Sequence, residues 1–195
     1  MIPMEIVFAS NNTQKLREYR NLFAPFGVKV LSKSEAGADT DPICDGNSYG
    51  KNAEIKARSV YEILGMPCFA DESGLEVKAL GGEPGLMSSC YSPDGNHCKD
   101  VLTKLEGLRM KERVATYICT ICFIDKDGKE QFFSASCDGY IIPYPKGNNG
   151  LCYDSIFFDI NERSTYSEMP IGRKNVISPR FKASHGLIVA VLCPF

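Results

Sequence analysis

Apolar positions along the chain switch between a two-residue and a three-to-four-residue period, which predicts alternating strands and helices. Glu5–Ala9 (EIVFA) reads as a short buried strand, and the polar turn Ser10-Asn11-Asn12-Thr13 follows it. Leu16, Tyr19, Leu22, Phe23 and Phe26 then share one helical face, which Asn11 or Asn12 caps and Gly27 ends. Val28–Leu31 is the second predicted strand. Tyr49, Ala53, Ala57, Val60 and Leu64 mark the inner face of a helix from about Ser48 to Leu64, closed by Gly65-Met66-Pro67. An apolar lead from Met66 to Ala70 meets the acids Asp71 and Glu72; Ser73-Gly74 predicts a turn, and Leu75-Glu76-Val77 alternates again. Further on, the pattern predicts a largely helical Asp94–Arg109 and a hairpin of Arg113–Ile124 with Glu130–Cys137 about Asp127-Gly128. Tyr140–Tyr144 reads as one more strand, and Ser178-Pro179 opens a last helix to about Leu192. Helices alternating with strands, then a central hairpin, argue for one α/β domain on a mixed sheet flanked by helices.

Two places in this pattern carry candidate chemistry. At the first strand–helix junction, free backbone N–H groups attract anions, phosphate among them. Lys15 in that first turn opposes the helix dipole unless an anion sits there, although on the junction alone the reading as a plain surface lysine leads. At Asp71-Glu72, paired carboxylates on a rigid strand suit Mg²⁺ or the activation of water. The same letters also describe a solvated turn.

Composition narrows the class. With 195 residues, 44% hydrophobic and 24% charged, the chain has the balance of a soluble globular domain. A formal charge of −2 gives no reason to expect nucleic-acid binding, and the absence of a leader or long apolar run predicts a cytoplasmic protein without membrane contact. The nine cysteines are scattered, and Cys119-x-x-Cys122 lies in an alternating strand that points the two thiols to opposite faces. They read as small buried hydrophobes.

Three stretches in order resemble one family. They are Ser10-Asn11-Asn12-Thr13-Gln14-Lys15 with Glu18; Ala70-Asp71-Glu72-Ser73-Gly74-Leu75 with Leu80–Gly85; and Gly150–Phe158 with Thr165–Met169 and Lys174–Arg180. Together they resemble the Ham1-type inosine triphosphate pyrophosphatases over nearly the whole length. The resemblance implies a two-lobed α/β fold with a nucleotide cleft between lobes, a homodimer, and Mg²⁺-dependent cleavage of ITP, dITP or XTP to monophosphate and pyrophosphate. It implies that Ser10, Asn11, Asn12, Thr13, Gln14, Lys15 and Ser73 hold the triphosphate, and that Glu72 with Asp71 binds metal and activates water. Leu151, Cys152, Tyr153 and Asp154 would line the base pocket, with Lys174 and Arg180 donating to a 6-oxo purine.

The departures from that family are specific. Glu72 stands where the family has Asp, one methylene longer, a displacement of about an ångström that would slow chemistry about 10²-fold. Lys51 replaces an acid, and the upstream metal-binding Glu falls near Ile43-Cys44, leaving Asp41 or Asp45 as substitutes. Leu151-Cys152 replaces Phe-Gly, and Pro179 replaces His. These changes motivate two alternatives: a catalytically weakened nucleotide-binding protein of the same fold, and a related pyrophosphatase with altered base preference.

Overall fold

The computed structural model describes residues 4–150 and 152–193. Its strands are β1 (Met4–Phe8), β2 (Val28–Ser32), β3 (Cys68–Val77), β4 (Val114–Ile124), β5 (Glu130–Ile141), β6 (Phe157–Asp159) and β7 (Ser164–Thr165). They form one mixed sheet in the order β2-β1-β3-β4-β5-β6-β7. β1 runs parallel to β2 and β3, whereas β5–β6 and β6–β7 are antiparallel. The helices are α1 (Thr13–Phe23), α2 (Tyr49–Leu64), α3 (His97–Lys104), α4 (Ile171–Ile177) and α5 (Pro179–Leu192). Among the described residues no helix is long and apolar enough to cross a membrane.

The chain divides into two compact units. One comprises the residues through Glu72, Thr120–Ser134 and those from Phe181 onward; the other comprises Ser73–Cys119 and Ala135–Arg180. In the first unit, the alternation of β3 builds two different faces. Cys68 and Ala70 pack with Ala53, Ala57 and Val60 of α2 and with Val7, Cys122 and Ile124. Small side chains there let α2 approach the sheet closely. On the opposite face Phe69 lies 4.8 Å from the Tyr19 ring and 5.1 Å from the Phe8 ring, with Phe23 alongside. Each fully buried ring there contributes about 1.5–3 kcal/mol through removal from water. The second unit has its own core of Leu75, Val77, Val101, Leu105, Ile141, Ile156, Phe157 and Tyr166.

Several expectations change. Ser73-Gly74 is no turn: β3 runs unbroken from Cys68 to Val77, Gly74 is buried, and pairing with neighbouring strands overrides the local turn signal. Asp71 and Glu72 are both buried, so a solvated turn is excluded. Phe26 is exposed, outside α1 in the short 3₁₀ turn Ala24–Phe26. The helix expected over 94–109 shortens to α3, because Asp94 accepts from the Ser92 hydroxyl and the Asn96 N–H and so shapes a loop ahead of it. The strand expected over 140–144 is the end of β5, which passes straight through Asp138-Gly139. A Cβ at Gly139 would meet the Phe158 carbonyl at 2.5 Å, so glycine there permits the approach of β6. β6, β7 and α4 are too short to leave a periodic signature.

Candidate active site

In the first unit the polar turn after β1 is held by its own side chains. Ser10 Oγ accepts from the Asn12 N–H at 3.1 Å, and Asn11 Oδ1 accepts from the Ser34 N–H at 3.2 Å. Asn12 caps α1, its Oδ1 accepting from the Gln14 and Lys15 N–H groups at 3.1 and 3.0 Å. Thr13 and Gln14 are exposed in the first turn. Lys15 reaches Asp71 Oδ1 at 3.0 Å, and the Asp71 side chain is fully buried. The anion that Lys15 needs at the helix start is therefore supplied by the protein itself.

Because β3 is continuous, Asp71 and Glu72 leave opposite faces of it. Asp71 follows Phe69 toward α1, and Glu72 follows Ala70 toward α2, where it accepts from Lys56 Nζ. The Glu72 side chain retains 10% exposure and Lys56 30%, so the pair is reachable from solvent. Burial alone would lower the Lys56 ammonium, but the Glu72 carboxylate overrides it and the net direction is upward. The expected convergence of both acids on one ion is not seen: they sit in separate ion pairs on separate faces.

Asp41 and Asp45 are exposed on the loop before α2, and Asp41 lies 3.7 Å from Lys33. Buried Asn52 holds this loop by accepting from the Gly46 N–H at 2.8 Å. Half-buried Cys44 has its thiol raised by burial first, and Lys56, Glu72, Asp41 and Asp45 all act on it. Cys44 of this loop therefore lies within the electrostatic reach of Glu72. No group of three His, Cys, Asp or Glu suited to a metal occurs among the described residues. Lys51 is exposed and pairs with Glu54 at 2.6 Å.

The second unit carries the other candidates. Lys174 Nζ donates to Asp154 Oδ2 at 2.6 Å, with side-chain exposures of only 6% and 3%. Tyr153 is buried and donates to the Ser88 carbonyl at 2.9 Å, and Ser88 Oγ in turn accepts from the Leu75 N–H at 2.9 Å. Arg180 is buried in the first turn of α5, after Ser178 and Pro179. Ser73 is half-buried on β3. Cys152 is exposed with φ of 29°, a left-handed conformation that suits the glycine it replaces. Leu151 lies outside the described residues.

Two residues escaped the sequence pattern. Lys56 sits beside the apolar stripe of α2, three positions after Ala53 and one before Ala57, and a lysine at the edge of an inward face was the available signal. Tyr117 of β4 left none, because a strand tyrosine is ordinary. It packs edge-on to Phe157 at 5.2 Å. Burial first, and then Asp154 and Cys152, hold its phenol well above the usual range, while Arg180 pulls it down.

The Ham1 family model matches residues 6–190. A dITP/XTP pyrophosphatase of Desulfotalea psychrophila is 36% identical, covering 94% of this chain and 82% of its own. One from Geobacillus kaustophilus is 37% identical, with 92% and 90% covered. Among solved structures, a Ham1 protein from Coxiella burnetii superposes with a TM-score of 0.85 at 32% identity, covering 97% of this chain and 98% of its own. The Staphylococcus aureus Ham1 protein gives 0.82 at 31%, with 94% and 96% covered.

Proposed function

Since the chain belongs to the Ham1 family, we propose that it hydrolyses non-standard purine nucleoside triphosphates to the monophosphate and pyrophosphate. The observation that carries this reading is Glu72: a carboxylate buried in a rigid strand, ion-paired with Lys56 yet open enough to meet a ligand. In this reading Lys15 and Lys56 are the cations that a phosphate tail recruits, each already poised against a carboxylate that keeps it in place. Glu72 takes the proton of the attacking water, and its exchange of Lys56 for substrate frees it to do so. Asp71 acts as a positioning residue through Lys15.

At the base end, the Lys174 ammonium and the Arg180 guanidinium are donors, and donors favour a 6-oxo over a 6-amino purine. Asp154 holds Lys174 in place.

We also propose Mg²⁺ as the cofactor. Glu72 would hold that ion as a hard oxygen ligand, with Asp41 or Asp45 of the neighbouring loop as the candidate second donor. Asp71, committed to Lys15 on the other face of β3, does not fit. When bound, the ion would neutralise phosphate charge.

The test is pyrophosphate release from ITP, XTP, dUTP and ATP, with Mg²⁺ and with EDTA, on the wild type and Glu72→Gln. Release from ITP and XTP above ATP, lost with EDTA and at least 10²-fold lower in the variant, is expected. ITP binding without turnover would overturn the hydrolytic reading, and equal cleavage of ATP the selectivity.

A further inference from the structure

The thiol of Cys98, in the first turn of α3, donates to the main-chain carbonyl of Cys152 at 3.2 Å and lies 3.8 Å from Ser155 Oγ. Both cysteines line a cavity of about 900 Å³ in the second unit, together with His97, Lys99, Arg113 and Glu106. Its charged lining residues are Lys99, Arg113 and Glu106. Arg113 is 5% exposed; its two terminal nitrogens donate to the Ile141 and Leu105 carbonyls, and its Nε has no partner among the described residues. A buried guanidinium without a carboxylate favours anionic visitors to the cavity.

We infer that Cys98 and Cys152 are a redox modification site: a small anionic disulfide such as oxidised glutathione closes them into an intramolecular disulfide that ties α3 to the segment carrying Tyr153 and Asp154. Cys152, the exposed member, attacks one sulfur of the small disulfide as its thiolate, forming a mixed disulfide and releasing one glutathione thiolate. The Cys98 thiolate then attacks Cys152 Sγ, forming the Cys98–Cys152 bond and releasing the second. Two protein thiols are oxidised, one disulfide is reduced, and the two protons lost from the protein are taken up by the released thiolates or solvent. A disulfide asks for Cβ atoms about 3.5–4.5 Å apart, and adjustment falls on Cys152, whose positive φ already strains the backbone. Both thiols are raised by burial, Cys152 also by Cys98, so closure is faster at alkaline pH.

The effect on nucleotide rests on the function proposed above; the disulfide itself does not. Peptide mapping of the folded protein after oxidised glutathione should give a Cys98–Cys152 cross-link, with loss of two hydrogens, reversed by dithiothreitol. Cys98→Ser should instead trap glutathione on Cys152. The KM for ITP should rise about tenfold in the oxidised wild type, as for one lost base contact, and return to its starting value with dithiothreitol. A wild type carrying only mixed disulfides, or a cross-link through another cysteine, would overturn the inference. A correct cross-link in a protein that, reduced, releases no pyrophosphate would leave the thiol site standing and remove the hydrolytic reading.

Discussion

Replacing Lys174 by Met tests the polar centre of the second unit most directly. Lys174 and Asp154 lie 2.6 Å apart with almost no exposed side-chain surface. Methionine fills a similar volume but removes the ammonium from which the Asp154 carboxylate accepts. Removing one partner from a buried pair costs about 3–5 kcal/mol, whereas removing both is far milder. For a chain of this size each kcal/mol lowers Tm by about 2–4 °C, so a fall of about 6–20 °C is expected. The pH dependence supplies a second, sharper sign. Without the Lys174 ammonium, the buried Asp154 carboxyl moves upward relative to wild type, so the folded variant takes up a proton more readily than the folded wild type. Its deficit against wild type should therefore narrow between pH 7 and 5. Asp154→Asn with Lys174→Met should recover much of the loss. Thermal and urea melts at the two pH values provide the assay. A single variant within about 1 kcal/mol of wild type, or a deficit that widens in acid, would refute the reasoning.

Gly150→Ala should disturb the same centre from the backbone: Gly150 has φ of 91°, and a Cβ there would meet Asp154 Oδ2 at 2.1 Å. A drop of about 2 kcal/mol and a raised KM for ITP are expected; an unchanged melt would show that the carboxylate moves freely. Glu35 should titrate at about pH 2, held down by the Ser32 N–H and by Arg20. Its contribution to stability is present above the ordinary carboxylate range and lost as pH falls through that value, which side-chain carboxyl NMR reads directly. Buried Cys68, Cys119, Cys122 and Cys137 should resist Ellman's reagent in the native protein, Cys68 and Cys122 with thiols pushed up to about 12 by burial. Exposed Cys90 and Cys193 should react first, and rapid modification of Cys68 would contradict the packing of β3 against α2.

The sequence by itself determined the long periodic elements and the motifs they carry. α1 with its Asn12 cap, α2 between Ser48 and Gly65, and the Asp127-Gly128 hairpin all follow from local rules, because capping oxygens, glycines and apolar spacing act within a few residues. The buried cysteines of β3, β4 and β5 were legible as hydrophobes, but the exposure of Cys90, Cys152 and Cys193 was not. Tertiary structure decided whatever depends on a partner distant in sequence. Ser73-Gly74 reads locally as a turn, yet β3 continues through it from Cys68 to Val77 as an extended strand of the sheet. That single outcome separates Asp71 from Glu72, sends one to Lys15 and the other to Lys56, and turns an apparent twin-acid site into two ion pairs. Lys174 and Asp154, twenty positions apart, meet for the same reason. Burial makes an unpaired charge so costly that this buried ammonium is folded against a carboxylate, and which partner is available only the packed structure can say.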